Sequence, residues 1–269
     1  MKKYISIPGL LLILWTLSSF TGCNLLSSAG FNNKGLSVKE APKNLTSTTA
    51  NSAVHLDHSA WTKLLQKYVD AKGFVDYRRF MKDKPKLEEY IRMLASQQPA
   101  EDWSVQEQLA YYINAYNANT IKLILDHYPI KSIKDIDGPW TKERVKIGDK
   151  MISLGGLENS ILRKMNEPRI HFAINCASIS CPKLQREAYT AAKINEQLDR
   201  AADEFINSDK NEISANSAKL SSIFKFYTKD FKNMAGSLVN YLNKFSDTKL
   251  NKNADISFKD YNWNLNEQK

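Results

Sequence analysis

Ser104-Val105-Gln106-Glu107-Gln108-Leu109-Ala110-Tyr111-Tyr112-Ile113-Asn114-Ala115-Tyr116-Asn117-Ala118-Asn119-Thr120-Ile121-Lys122-Leu123-Ile124-Leu125-Asp126-His127 decides the fold. Ser104 is an N-cap residue, and Glu107 three positions on completes a capping-box pattern. Pro129 stops the helix after His127. Leu109, Tyr112, Ile113, Tyr116, Ile121, Leu123, Ile124 and Leu125 leave little of the circumference polar. A helix that is apolar nearly all round is buried by other elements. The stretch from about 105 to 127 is therefore expected to be a central, buried helix.

Shorter elements flank it. Trp61, Leu64, Leu65 and Tyr68 have helical spacing. A second helix is expected from Tyr77 to about Ala95, interrupted by Pro85. Val145 to Leu154 reads as a hairpin around Gly148 and Asp149. A helix from Gly156 to Met165 follows, and then a buried strand from Ile170 to Cys176. Helix returns from about Ala191 to Ile206. Short strands near Ile213, Leu220 and Ile256 surround helices at Phe224–Phe231 and Ala235–Phe245. This order predicts a single helix-rich α+β domain with a small, mainly antiparallel sheet over residues 53–269.

The N-terminus reads as an export signal. Lys2 and Lys3 precede an apolar run from Gly9 to Leu17, too short for a transmembrane helix. Thr21-Gly22-Cys23 resembles the lipobox of bacterial lipoproteins, with Phe20 where the motif prefers a smaller aliphatic residue. The resemblance implies that residues 1–22 are a signal peptide and that Cys23 is acylated. The membrane is then a partner, reached from the extracytoplasmic side of a bacterial envelope. Residues 23–52, rich in Ser, Thr, Asn, Lys and Ala, read as a flexible tether. His55 and His58 at its end are expected to be solvated.

The formal charge is +9, and losing Lys2 and Lys3 leaves +7. The basic residues are interleaved with acids and form no nucleic-acid motif, so no nucleic-acid partner is expected.

Chemistry concentrates in His171-Phe172-Ala173-Ile174-Asn175-Cys176-Ala177-Ser178-Ile179-Ser180-Cys181-Pro182, which holds one of four histidines and two of three cysteines. These groups could make a reactive thiol site, a disulfide or part of a metal site. No CxxC pair or HExxH motif accompanies them, so neither a metal nor a cofactor is expected. In an extended 171–176, His171 and Cys176 point to opposite faces. That geometry favours Cys181 over Cys176 as a nucleophile beside His171. Glu158, Asn114 and Asn117 are candidates to orient the imidazole. The two asparagines lie three apart on one helix face. Asn175, Arg163 and Tyr116 are candidate binding residues.

Four blocks resemble one family. They are Gln108 to Ala118, Leu154-Gly155-Gly156-Leu157-Glu158-Asn159-Ser160-Ile161-Leu162-Arg163, His171 to Pro182, and Tyr261-Asn262-Trp263-Asn264-Leu265-Asn266. Together they resemble domain-of-unknown-function family 547, DUF547, found in bacteria and as a module in plant and animal proteins. Some eukaryotic members also carry a glutaredoxin-like domain, which by resemblance hints at thiol chemistry. Many members have histidine where this chain has Asn159, which gives His171 more weight as a base. The expectation is a thiol-dependent hydrolase or acyl transferase acting on a peptide or other envelope amide or ester. The alternative is a non-catalytic envelope binding or scaffold protein stapled by a Cys176–Cys181 disulfide.

Overall fold

The computed structural model describes residues 26–269. The expected export signal and the expected lipidation site Cys23 lie outside them. The described chain is a helix-rich α+β fold. Its helices are α1 (Ser59–Tyr68), α2 (Tyr77–Phe80), α3 (Lys84–Ala95), α4 (Val105–His127), α5 (Ile170–Ala173), α6 (Ile194–Ile206), α7 (Ser222–Phe226), α8 (Thr228–Ala235) and α9 (Leu238–Phe245). The strands are β1 (Glu143–Ile147), β2 (Lys150–Ser153), β3 (Glu212–Ile213), β4 (Ser217–Leu220) and β5 (Asp255–Phe258). β1 and β2 form an antiparallel hairpin. β4 pairs antiparallel with β3 and parallel with β5, in a second small sheet.

α4 is the central helix, buried from Gln106 to Ile121 and again from Leu123 to Leu125. Ser104 caps it by accepting the Glu107 backbone N–H at 3.1 Å. The Glu107 carboxylate does not close the reciprocal half of the box; it accepts the Leu56 backbone N–H instead. Polar residues on a helix buried this completely must be paired, because an unpaired buried polar group costs about 1–3 kcal/mol. Their partners are neighbouring segments of chain, so the polar residues of α4 fix where those segments run.

The supposed tether shows this most clearly. Residues 26–52 lie along the domain instead of hanging free. Leu36, Ala41 and Leu45 are buried in the main core. Gln108 accepts the Lys39 backbone N–H and donates to Ser37 Oγ. Tyr112 donates to the Ser37 carbonyl, and Gln106 donates to the Thr46 carbonyl. A few apolar anchors and a polar helix edge hold an arm whose composition reads as disordered.

Two further elements depart from the sequence reading. The break in the second helix falls at a 3₁₀ turn, Met81–Asp83, and Pro85 opens α3 instead of interrupting it. Proline lacks the N–H that a first helical turn leaves unused, so it suits that position. Residues 170–173 form a short helix, not a strand, with extended backbone beginning only at Ile174.

The hydrophobic interior has two parts. One surrounds α4 and takes in α1 and α3. The other is an aromatic cluster of Phe172, Phe205, Phe224, Phe231 and Tyr241, built by α5 to α9. α5 sits at the junction, with Ile170 in the first and Phe172 in the second. α6 spans both, through Ile194 and Leu198 in one and Phe205 in the other.

His58 is buried, not solvated. Its Nδ1 lies 2.7 Å from the Tyr90 hydroxyl, and its Nε2 is buried without a partner among the described residues. Burial pushes its pKa down to about 4, against a weaker opposing pull from Asp57. Between pH 6.5 and about 4 the unfolded chain therefore binds a proton that the folded chain refuses. This contribution is complete above pH 6.5 and is lost as pH falls. Urea denaturation should show a stability slope across this window, up to about 3 kcal/mol, that flattens in His58→Gln. An unchanged slope in the variant would assign the pH dependence elsewhere.

Candidate functional site

The segment carrying the thiols is held by amides. Asn117 donates to the Ala173 carbonyl at 2.9 Å and accepts the Asn175 N–H at 2.8 Å. Asn175 in turn accepts the Ala177 N–H at 2.8 Å and donates to the Pro182 carbonyl at 2.7 Å. Ala177 sits in the left-handed region, with φ of 59°. For a residue with a Cβ this costs on the order of 1 kcal/mol; the Asn175 contacts hold it there. The C-terminal segment then closes over the loop. Ile179 donates to the Asn264 carbonyl and Ser180 to the Asn262 carbonyl, which brings Tyr261 onto the sulfurs.

Cys176 and Cys181 are free thiols, with no disulfide between them. The Cys176 backbone N–H donates to Cys181 Sγ at 3.0 Å. Ser178 Oγ lies 3.3 Å from Cys181 Sγ. The Tyr261 hydroxyl lies 3.2 Å from Cys176 Sγ and 3.3 Å from Cys181 Sγ. Burial alone would raise the Cys181 pKa, but hydrogen bonds from Cys176, Ser178 and Tyr261 outweigh it and bring the thiol down to about 6. Cys176 moves well up, because its proton serves Cys181 and because it is desolvated. The two sulfurs titrate as one unit whose first proton leaves easily and whose second does not. Burial and the neighbouring sulfur charges raise Tyr261, which keeps it a donor.

His171 is buried at the start of the same segment. Its Nε2 lies 2.9 Å from Asp230 Oδ2, and its ring stacks on Tyr227 with centroids 3.7 Å apart. Desolvation lowers its pKa, with Asp230 and Glu158 opposing. The imidazole is therefore neutral near pH 7. Asp230 is held well below the usual carboxylate range: burial would raise it, but His171 and Arg163 prevail. An ionised Asp230 fixes the Nε2–H tautomer and leaves the lone pair on Nδ1, as a carboxylate does for a catalytic imidazole. Nδ1 is buried and has no hydrogen-bond partner among the described residues.

Arg163 grips Asp230 with two hydrogen bonds, Nε at 2.7 Å and Nη2 at 2.9 Å, and donates from Nη1 to Asn159 Oδ1 at 2.9 Å. Glu158 accepts hydroxyl hydrogen bonds from Tyr116, at 3.3 Å, and from Tyr227. Both residues sit on an irregular helical run, Leu154–Met165, whose middle turn is a π-helix at Leu157–Ile161. Its two glycines allow close packing. A Cβ on Gly155 would meet the Trp140 carbonyl at 2.7 Å, and one on Gly156 would meet Ser27 Oγ at 2.5 Å.

His171, Cys176, Cys181, Glu158, Asn159 and Tyr116 line one cleft of about 350 Å³, with aromatic residues Trp140, Phe226, Tyr261 and Trp263 also in its walls. Of the residues singled out in the sequence, Arg163 stands behind the cleft on Asp230. Asn117 and Asn175 are not in its walls; they hold the backbone of the thiol segment. Asn114 is spent on the Tyr189 backbone, donating to its carbonyl and accepting its N–H, and does not contact the imidazole. Sequence reasoning missed Asp230, Tyr227, Ser178 and Tyr261 as site residues. Of these, Tyr261 had a signal, since it opens a block carrying the family resemblance.

Residues 100–206 match the family model described as "Protein of unknown function, DUF547". The DUF547 match supports the resemblance read from the sequence. It runs from the approach to α4 to the end of α6, and so contains Glu158, His171 and both cysteines but not Tyr227, Asp230 or Tyr261. No curated protein and no solved structure matches the chain.

Two substitutions test this geometry. Asn117→Ala strands the Ala173 carbonyl and the Asn175 N–H, and should cost about 3 kcal/mol of stability by urea denaturation. Asp230→Ala leaves Arg163 without its carboxylate and should cost about 3 kcal/mol. Losses below about 0.5 kcal/mol in either variant would show that these contacts do not hold the site.

Proposed function

We propose that this protein is a membrane-anchored, thiol-dependent hydrolase or acyl transferase, with Cys181 as nucleophile and His171 as base. The observation carrying the reading is that a buried, Asp230-oriented neutral imidazole and two free thiols open on one cleft. A structural staple, the basis of the scaffold alternative, would have these sulfurs bonded.

The protonation states divide the reaction into two steps. At neutral pH the Cys181 thiolate attacks a carbonyl carbon without needing a base. An ester suits this step better than an amide, because an alkoxide leaves and then takes its proton from solvent, whereas an amine must be protonated as it leaves. The product is a Cys181 thioester. In the second step water, or an acceptor hydroxyl, attacks the thioester and His171 Nδ1 takes its proton, which the imidazolium then releases to solvent. The thiolate departs as the carboxylic acid or new ester forms. The hydroxyl of Tyr261 keeps a hydrogen bond on the sulfur throughout.

The anchor is the second part of the proposal. An export-type N-terminus and Thr21-Gly22-Cys23 support acylation of Cys23 in a bacterial envelope. Among the described residues no helix is long and apolar enough to cross a membrane.

Brief alkylation with iodoacetamide across pH, read by mass spectrometry, tests the nucleophile. Cys181 should react with a midpoint near pH 6, far below the usual 8.5. Cys176→Ser and Tyr261→Phe should move that midpoint up. Incubation with a nitrophenyl ester tests the base. His171→Ala should accumulate the Cys181 thioester while turnover falls about 10²–10⁴-fold; Cys181→Ala should form none. Absence of any thioester in both the native protein and His171→Ala would sink the enzyme reading.

A further inference from the structure

The arm that follows Cys23 does not leave the domain at an arbitrary point. Its first described residues lie against the wall of the cleft. Ser28 lines the cleft and lies 2.8 Å from Ser153 Oγ, and its carbonyl accepts a hydrogen bond from Asn159 Nδ2 at 2.7 Å. Ser160 donates to the Ser27 carbonyl at 2.6 Å, and Ser27 is buried against Gly156. The glycines at 155 and 156 are what let this turn seat so closely.

Cys23 precedes Leu26 by three residues. Three residues span at most about 10 Å. An acyl anchor on Cys23 therefore gives the domain a leash shorter than the domain itself, fastened beside the cleft. A long tether would let any face meet the lipid; this one selects the face next to Ser28.

That face is built for lipid. Five large hydrophobic side chains are exposed among the described residues, and three of them are here. Leu26 is 51% exposed and Phe31 80% exposed, joined through the Phe31 N–H to the Leu26 carbonyl, and together they bracket Ser28. Phe226, 51% exposed, is in the cleft wall, 5.6 Å between centroids from Tyr261. Trp140 and Trp263 meet edge to face at 5.5 Å in the same wall, with Lys134 over the Trp263 ring. Tryptophan, tyrosine and lysine side chains of this kind settle at the boundary between acyl chains and headgroups.

Resting on the anchor reading above, we infer that the protein lies with the mouth of its cleft against the lipid surface, Leu26, Phe31 and Phe226 entering the interface. The cleft then draws its substrate from the membrane, as a lipid-borne or lipid-soluble acyl ester, rather than from solution.

Bromolipid quenching of tryptophan tests the orientation. The acylated product, produced in a lipoprotein-processing bacterium, is reconstituted into phosphatidylcholine vesicles with acyl-chain-brominated lipid. Trp61 and Trp103 are buried, so they serve as the unquenched background. Fluorescence should fall on bromination, and the fall should disappear in Trp140→Phe/Trp263→Phe. Phe31→Ser and Phe226→Ser, at exposed positions that leave the core intact, should each reduce it. An acylated, vesicle-bound protein showing no fall, or a fall indifferent to both serine variants, would overturn the orientation and leave the anchor standing. A product whose mass lacks acyl chains on Cys23 would instead overturn the anchor, and this inference with it.

Discussion

The Asn117 side chain is the contact on which the site depends most. It sits in a helix that the fold buries almost completely, where its amide must find partners, and it finds them on both sides of the turn at Ile174. Those two hydrogen bonds stop α5 after Ala173 and start the extended backbone that delivers Cys176. Asn175 repeats the arrangement one step out, closing the loop from Ala177 to Pro182 on itself. The thiol loop is thus tied to the buried central helix through its backbone groups, and neither Cys176 nor Cys181 is spent on that anchoring.

Much of the fold was legible because its elements are strongly patterned. The buried run of α4, the hairpin at Gly148 and the amphipathic α1 and α6 appear where their periodicity predicts. The strand at 170–176 does not. Ile170, Phe172 and Ile174 alternate, and a short alternating run reads as strand. Here Ile170 and Phe172 face two different hydrophobic clusters. Two apart on a strand they would share one face, whereas a helical turn points them to nearly opposite sides. The arm at 26–52 was misread for a related reason. Its composition is that of a disordered segment, and what orders it lies on α4, in Gln106, Gln108 and Tyr112.

The site was legible where its residues are adjacent in sequence and opaque where they are not. His171, Cys176, Cys181 and Glu158 stood out as scarce chemical types within short blocks. Asp230 did not, because an aspartate in the first turn of an amphipathic helix looks like any solvated or dipole-matched carboxylate. Only the packing of α8 against α5 reveals that it faces an imidazole. Arg163 stood out as a candidate binding residue, but the pair it forms is with Asp230, which no helix spacing could indicate.

The role of Asp230 is narrower than the word triad suggests. Its charge is already met by the bidentate Arg163, so it cannot lend His171 the full pull of a bare carboxylate. Desolvation therefore wins, and the imidazole stays neutral while its tautomer is fixed. A neutral imidazole could not stabilise a thiolate by ion pairing, as a cationic one does elsewhere. The thiol loop supplies that stabilisation itself, through the Cys176 N–H, its thiol, Ser178 and Tyr261. In the proposed reaction, activation of the nucleophile and activation of water thereby fall to separate groups. In that reading the Arg163–Asp230 pair keeps the imidazole uncharged in the resting protein, and the donors from Cys176, Ser178 and Tyr261 favour the Cys181 thiolate without needing that imidazole to change state.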